Sequence, residues 1–269
     1  MSVDKKVVLI TGAARGIGMG IAKCFVAQGA SVIITDLDES MTQAAAAELG
    51  ENAMGLVANA ASQSAMSEAV SKVLQRYGQL DVLVNNAGIG GPKEQFEEIS
   101  SSDSALLGIT DDVWDEQLMF NLRTAFSSSN AAIPHLSEGG NIVNIASIAA
   151  LGPTTTLPAY GAAKAGVVHL TKTLAMELAP RRIRVNCICP GLLWTRAWEI
   201  LTTQMKANQP ELANMSQRQI FESVVEDITP LGSEQTPEDI GNLAVFYASS
   251  NARMITGQIV AVDGGISVK

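Results

Sequence analysis

The segment KVVLITGAARGIG, residues 6–18, carries the clearest structural signal in this chain of 269 residues. Its first part, residues 6–10, is a short run of β-branched and apolar side chains, which predicts a buried strand. Thr11 and Gly12 stop that run, and apolar residues then recur with helical spacing over residues 18–28. The sequence therefore predicts a strand, a glycine-rich turn and a helix in direct succession.

The same alternation of short apolar runs and helical segments continues along the chain. Further strands are predicted at residues 31–35, 54–57, 80–84, 141–145, 183–187 and 259–262. Apolar strands that are each followed by a helix favour a parallel sheet covered on both faces. We therefore predict an α/β fold with a doubly wound parallel sheet, in one domain that spans residues 1–269.

Two stretches interrupt this alternation, at residues 89–112 and 192–229. Both follow predicted strands at the carboxyl edge of the sheet, where open α/β folds bind their ligands. We therefore interpret them as substrate loops. Trp194 and Trp198 in the second stretch either form a lid over an apolar substrate or pack as ordinary core residues.

Composition limits the classes of partner. The net charge of −9 and the pI near 4.8 argue against binding to nucleic acid or anionic membranes, because both require a basic surface. The longest apolar stretches are far shorter than the roughly 20 residues that cross a bilayer, and the N-terminus lacks the features of a signal peptide. We expect a cytoplasmic protein whose partners are small molecules or proteins.

The few cysteines and histidines favour neither disulfides nor a metal site. Cys24, Cys187 and Cys189 have no Cys-x-x-Cys spacing, so we expect buried, reduced thiols. His135 and His169 have no cysteine or carboxylate near them at metal-ligand spacing. We therefore expect no bound metal.

The glycine-rich turn is a candidate binding site for a dinucleotide. Gly12, Gly16 and Gly18 would let the backbone approach a pyrophosphate at the N-terminus of the first helix. Their spacing is G-x-x-x-G-x-G rather than G-x-G-x-x-G, so the position between strand and helix supports this interpretation more than the pattern does.

Asp36 indicates which dinucleotide is bound. It closes the second predicted strand, 24 residues after Gly12, near the offset at which a carboxylate holds a ribose 2′-hydroxyl. Repulsion between this carboxylate and a 2′-phosphate is worth on the order of 1–4 kcal/mol. The charge favours NAD over NADP, although Arg15 in the turn could instead reach a phosphate.

Several motifs resemble those of the short-chain dehydrogenase/reductase family, in the family's order and at similar spacings. They are the turn at residues 11–18, Asn85-Asn86-Ala87-Gly88, Ser147, Tyr160-Gly161-Ala162-Ala163-Lys164 and Pro190-Gly191. The resemblance spans nearly the whole chain. It implies a Rossmann-type sheet of about seven strands and assembly as a homotetramer or homodimer.

The resemblance also implies roles for individual residues. The implied catalytic residues are Asn121, Ser147, Tyr160 and Lys164. The implied NAD-binding residues are Gly12, Arg15, Gly16, Ile17, Gly18, Asp36, Leu37, Asn59, Ala60, Asn86, Ala87, Gly88, Tyr160, Lys164, Pro190, Gly191 and Thr195. Asn59 stands where many relatives carry an Asp that accepts from the adenine amino group, and Thr195 matches a threonine that binds the nicotinamide carboxamide.

Tyr160 and Lys164 suit the chemistry of a secondary alcohol. Oxidation needs a base for the hydroxyl proton, and reduction needs the same group as an acid. Lys164 lies one helical turn after Tyr160. We expect its charge, worth about 4 kcal/mol at about 4 Å, to lower the pKa of Tyr160 towards neutrality. Ser147 would hydrogen-bond the substrate oxygen, and Asn121 would hold a water beside Lys164.

Three hypotheses for function follow. The first is an NAD-dependent dehydrogenase for a small, apolar or cyclic secondary alcohol. The second is a reductase for 3-oxoacyl thioesters of acyl-carrier protein or coenzyme A, which would need a basic patch for the carrier. The third is a catalytically idle relative that binds NAD as a sensor or scaffold, although the presence of both Tyr160 and Lys164 argues against it.

Overall fold

Seven parallel strands form one sheet in the computed structural model of the chain, which describes residues 3–89, 106 and 108–269. The strands are β1 (Val7–Thr11), β2 (Ser31–Asp36), β3 (Ala53–Val57), β4 (Leu80–Asn85), β5 (Leu136–Ile145), β6 (Arg184–Pro190) and β7 (Ile259–Val262). Their spatial order is β3-β2-β1-β4-β5-β6-β7, and all neighbouring pairs are parallel. The chain winds outward from β1 in both directions, so the prediction of a doubly wound sheet is confirmed.

Nine α-helices occur within the described residues. They are α1 (Gly16–Ala27), α2 (Glu39–Leu49), α3 (Gln63–Tyr77), α4 (Asp111–Leu118), α5 (Thr124–Ala132), α6 (Pro158–Leu178), α7 (Arg196–Asn208), α8 (Gln217–Ile228) and α9 (Pro237–Ala248). A π-helical segment, Met119–Arg123, joins α4 to α5.

Helices cover both faces of the sheet. Val8 of β1 packs on one face with Phe25 of α1, and Leu9 packs on the other face with Val70 of α3. All five residues of β1 are therefore buried. This explains why β1 is a continuous apolar run in the sequence rather than an alternating one.

β5 begins at Leu136 rather than at the predicted Asn141. Its register with β4 shifts between the pairs Leu80–Leu136 and Val82–Asn141. Gly139 adopts a φ of 75° in this shift, which is easily reached only by glycine. The extra residues form a polar bulge, which has no apolar pattern by which a strand could be predicted.

The stretch 192–229 is mostly helical, so the prediction of a loop there is wrong. It contains α7, a short 3-10 helix (Pro210–Leu212) and α8. The Ser216 hydroxyl accepts from the Gln219 backbone N–H, and the Gln219 side chain accepts from the Ser216 N–H. This capping box starts α8 within a polar sequence that otherwise resembles a loop.

Trp194 and Trp198 pack against one ring in this helical insertion. The ring centroid of Phe221 lies 5.2 Å from that of Trp194 and 4.9 Å from that of Trp198. Leu192 and Val225 complete the cluster. The contacts match the core-packing alternative, and a contact of either tryptophan with substrate stays a prediction.

The other predicted substrate loop, residues 89–112, falls mostly on residues 90–105 and 107, which lie outside the described residues. The described end of this stretch leads into α4. There the Thr110 hydroxyl accepts from the Val113 backbone N–H at 3.4 Å and caps the helix.

The described residues contain no helix that is both long and apolar enough to cross a membrane. Over the same residues, no three or more His, Cys, Asp or Glu side chains cluster closely enough to hold a metal ion. Cys187 and Cys189 are buried free thiols, as predicted, whereas Cys24 is free but only half-buried.

Candidate active site

The glycine-rich turn packs against the end of β4 on one side and is open on the other. Gly12 has a φ of +63°, and a Cβ atom there would lie 2.7 Å from the Cα atom of Ala87. Gly16 also has a positive φ, +56°, but a Cβ atom there would meet nothing within 4 Å. The turn thus leaves space above the first turn of α1, where Ile17 packs on the core and Arg15 is exposed.

Asn86 builds this turn from the neighbouring strand. Its Nδ2 donates to the carbonyl oxygens of Thr11 at 3.0 Å and of Gly12 at 2.8 Å. The Thr11 hydroxyl in turn accepts from the backbone N–H groups of Asn86 and Ala87, each at 3.1 Å. The amide group of Asn86 is therefore bound to the turn's own backbone, next to the space where a dinucleotide would lie.

Asp36 places a carboxylate against the turn. Its Oδ2 accepts from the Ala14 backbone N–H at 3.2 Å, and its Oδ1 accepts from the Leu37 N–H at 2.8 Å. Within the described part of the chain it forms no ion pair. Leu37 beside it is 61% exposed and offers an apolar surface. The charge of Asp36 is therefore available to a ribose hydroxyl.

Asn59 and Ala60 follow β3 at the same edge of the sheet. The Asn59 Oδ1 accepts from the Ala61 backbone N–H at 2.9 Å, so one of its two lone pairs is already used. Its side chain is exposed, and Ala60 is buried. The second lone pair of Asn59 is the one that could accept from an adenine amino group.

These residues fit a bound nicotinamide dinucleotide. The glycines give the backbone close access at a helix N-terminus, where N–H groups bind phosphate. Gly12 in particular could not be replaced without a clash with Ala87. The carboxylate of Asp36, held at the turn, suits a ribose with free hydroxyl groups.

Tyr160 and Lys164 lie in the first turns of α6. The Lys164 Nζ is 5.7 Å from the centroid of the Tyr160 ring and donates to the Ile145 carbonyl oxygen at 3.3 Å. Lys164 is buried, with 5% exposure, and Tyr160 is half-buried. The two side chains therefore meet beside the carboxyl end of β5.

Ser147 follows β5 and starts a short 3-10 helix, Ile148–Ala150. Its Oγ accepts from the Ala149 backbone N–H at 3.2 Å, which leaves the hydroxyl proton for another partner. Hydrogen bonding between Ser147 and Tyr160 acts to lower the pKa of the tyrosine, although burial has the larger effect. The side chains of Ser147 and Tyr160 therefore lie next to each other.

Asn121 lies in the π-helical segment, a type of irregularity that is frequent at functional sites. Its Oδ1 accepts from the Ile89 N–H at 3.2 Å, and its Nδ2 donates to the Gln117 Oε1 at 3.0 Å. A Cβ atom on Gly88 would lie 2.8 Å from that Oδ1 and 3.2 Å from the Lys164 Nζ. Asn121 and Lys164 therefore converge at Gly88.

Gln117 is a site residue that the sequence analysis does not find. It is fully buried, and its Nε2 has no partner among the described residues. The signal that could have revealed it is its position one helical turn before Asn121, where two amides can bond.

Burial sets the proton affinities of the pair. It lowers the pKa of Lys164 to about 8 and raises the pKa of Tyr160 above its usual value near 10. The expectation that Lys164 lowers the pKa of Tyr160 towards neutrality is therefore wrong for this arrangement. Burial here favours the protonated phenol, the form that can give its proton to a ketone oxygen.

The opposite wall of the site comes from the ends of β6 and β7. Pro190 ends β6, and the Gly191 N–H donates to the Val262 carbonyl oxygen at 3.0 Å. A Cβ atom on Gly191 would lie 2.5 Å from the Gln235 Oε1, so only glycine fits. Thr195 begins α7 without a capping bond from its hydroxyl, which is therefore available to a ligand.

Comparison with known proteins places this geometry in a family. A family profile described as "Enoyl-(Acyl carrier protein) reductase" matches residues 12–267. The chain is 35% identical to the 3-oxoacyl-(acyl-carrier-protein) reductase FabG of Chlamydia pneumoniae, with 98% of each chain covered. It is 34% identical to the 7alpha-hydroxysteroid dehydrogenase of Bacteroides fragilis, with 98% of this chain and 95% of that protein covered.

A solved structure with similar architecture is a double mutant of a short-chain dehydrogenase/reductase from Serratia marcescens. The two chains superpose with a TM-score of 0.79 at 28% sequence identity. The match covers 99% of this chain and 100% of the other. The likeness therefore includes both edges of the sheet and the helical insertion.

Proposed function

The chain belongs to the short-chain dehydrogenase/reductase family of oxidoreductases, and we propose that it interconverts a secondary alcohol and its ketone with NAD(H) as cofactor. The observation that carries this proposal is the convergence of Lys164 and Asn121 at Gly88, with Tyr160 and Ser147 alongside. The predicted catalytic residues thus lie at one edge of the sheet, next to the glycine-rich turn.

In this proposal, side chains of the site control the substrate oxygen and its proton. A nicotinamide dinucleotide bound at the turn would supply the hydride chemistry at the carbinol carbon. Ser147 donates its hydroxyl proton in a hydrogen bond to the substrate oxygen, because its Oγ already accepts from Ala149. Tyr160 holds the transferable proton on its phenol oxygen. The ammonium group of Lys164 stabilises the phenolate that remains after transfer.

NAD(H) is the proposed cofactor because Asp36 brings an unpaired negative charge to the turn. A 2′-phosphate near this carboxylate would be repelled, and Arg15, the cation that could compensate, is exposed at the N-cap of α1. The charge argument does not depend on the substrate. The cofactor preference is therefore tested by cofactor binding, separately from the choice of substrate.

Between simple secondary alcohols and 3-oxoacyl thioesters, the similar proteins favour the 3-oxoacyl thioesters as substrates. FabG of Chlamydia pneumoniae is named as a reductase of such a thioester. We therefore propose a 3-oxoacyl thioester as the substrate. A cyclic alcohol is the second candidate, supported by the hydroxysteroid dehydrogenase relative.

The substrate proposal is tested by steady-state kinetics of the purified protein with NADH. We expect saturable oxidation of NADH by acetoacetyl coenzyme A, followed by absorbance, and weaker turnover of cyclohexanone. Faster oxidation of cyclic alcohols or hydroxysteroids with NAD would instead support the second candidate. No turnover of any carbonyl or carbinol, with a cofactor that binds, would favour a sensor or scaffold.

We also propose that the protein assembles as a homo-oligomer, through an apolar groove of about 670 Å³ between α4–α5 and α6. Met119 and Phe126 are 40% and 50% exposed, and they line the groove together with Leu118, Leu122 and Leu170, so they belong to one apolar patch. Asp115 and Arg123 lie in the same groove. In a two-fold (isologous) contact the same surface of both copies meets, so Asp115 of each copy could pair with Arg123 of the other.

A further inference from the structure

A second cavity, of about 340 Å³, lies at the amino edge of the sheet, opposite to the catalytic residues. Lys6 precedes β1 and Arg184 begins β6, and both line this cavity. Ser147 and Pro190 lie at the carboxyl ends of β5 and β6. Because the strands are parallel, the cavity and the catalytic site are separated by the length of the strands.

The cavity concentrates positive charge in an acidic protein. Lys6, Arg182, Arg184 and Arg253 all line it. They are four of the 18 Lys and Arg residues of a chain whose net charge is −9. Such a cluster of like charges produces a local positive potential.

Carboxylates neutralise this charge only in part. The Arg182 Nε is 3.8 Å from the Glu138 Oε1, and both side chains are largely exposed. Asp81 raises the pKa of Lys6 through its charge, and its Oδ2 also accepts from the Val7 N–H and the Gln79 side chain.

Arg184 and Arg253 have no carboxylate partner in the ranges that the structure describes. The Nη2 of Arg184 donates to the Ser249 carbonyl oxygen at 3.5 Å. Its Nη1 is buried and has no hydrogen-bond partner there. Because that nitrogen is closed off from solvent, an anion in the cavity would instead contact the accessible parts of the Arg184 and Arg253 side chains.

Burial lowers the pKa of both Lys6 and Arg184, and the charge of Arg184 lowers the pKa of Lys6 further. The charge of Asp81 acts on Lys6 in the opposite direction and has the larger effect of the two charges. A multiply charged anion in the cavity would favour the charged forms of both side chains.

We propose that this cavity binds a small phosphorylated anion. Guanidinium groups bind phosphate oxygens in pairs, and Arg182, Arg184 and Arg253 supply three such groups around one cavity. The volume admits a phosphate or pyrophosphate group but not a folded partner. The site is separate from the glycine-rich turn, at the other edge of the sheet.

The test is isothermal titration calorimetry of the full chain with two probes, inorganic pyrophosphate and ribose 5-phosphate. Arg253→Gln is the variant, because Arg253 is exposed and its side chain makes no ion pair among the described residues, so folding should be unaffected. Lys172→Gln, which removes an exposed charge from α6, is the matched control. We expect saturable binding that is weakened about tenfold by Arg253→Gln, or about 1.4 kcal/mol, and unchanged by Lys172→Gln.

Tighter binding of pyrophosphate than of ribose 5-phosphate would identify a free polyphosphate as the ligand, and the reverse an organic phosphate ester. Either order supports the site if Arg253→Gln weakens the binding. Saturable binding that is insensitive to Arg253→Gln would place the anion elsewhere and overturn the proposal. Equal weakening by Lys172→Gln, or no saturable binding, would overturn it as well.

Discussion

Replacing Asp36 with Asn should reduce the preference for NADH over NADPH. Asn has nearly the same size as Asp, and its single amide oxygen can keep one of the bonds from the Leu37 and Ala14 backbone N–H groups. The substitution therefore removes the charge at the turn while the local backbone keeps a hydrogen-bond acceptor.

The size of the effect follows from the position of the carboxylate. Two unit charges about 4 Å apart interact with about 1 kcal/mol in water and about 4 kcal/mol at an effective dielectric near 20. Asp36 is half-buried, so the repulsion of a 2′-phosphate lies between these values. We expect the ratio of the NADPH to the NADH dissociation constants to fall by at least about tenfold, which corresponds to about 1.4 kcal/mol.

Fluorescence titration with each reduced cofactor measures both dissociation constants. Glu39→Gln is the matched control, because Glu39 is an exposed carboxylate in the first turn of α2, three residues after Asp36. It should leave the ratio unchanged. A change of less than about twofold in Asp36→Asn, or a parent protein that prefers NADPH, would refute the charge argument and point to Arg15 as the decisive residue.

Two further variants test the burial of charge and the assembly. Lys164→Met should remove turnover but raise the midpoint of thermal unfolding, because burial disfavours the lysine charge and lowers its pKa to about 8; an equal or lower midpoint by calorimetry would contradict this. The unfolded chain keeps the ordinary lysine pKa of 10.5, so the parent protein gains stability relative to Lys164→Met as pH rises from about 8 to about 10. Denaturant titrations at both pH values measure this difference in the free energy of unfolding, and a difference that grows with pH would contradict the prediction. Phe126→Glu should dissociate the oligomer, because it puts a charge into the apolar groove; light scattering that gives the parent mass would rule out this face as the interface.

The sheet could be predicted because its strands are buried on both faces. Val7 to Ile10 are all apolar for that reason, and the glycines after them mark the turn that the structure contains. No such apolar pattern marks the polar bulge around Gly139 or the helices α7 and α8, so these elements could not be predicted from the sequence. Their residues are held by a register shift and by packing on Phe221, which are contacts between distant parts of the chain.

In the candidate site, too, some residues could be predicted from the sequence and others could not. Tyr160 and Lys164 are neighbours on one helix, so their spacing alone predicts that they meet. Gln117 and Gln235 are not distinguished by any motif, because their places depend on Asn121 in the π-helical segment and on Gly191 at the end of β6. The direction of the Tyr160 pKa shift also required the structure, because burial, which the sequence does not show, has the largest effect on it.

The most direct test of the account is the activity of Tyr160→Phe, measured as oxidation of NADH by acetoacetyl coenzyme A beside a fluorescence titration of NADH binding. Lys172→Gln, an exposed change on the same helix, is the control. The account predicts that Tyr160→Phe loses nearly all turnover and binds NADH like the parent, because the proton donor is removed and the turn is untouched. Turnover above about a tenth of the parent's would contradict the role of Tyr160 as the group that transfers the proton.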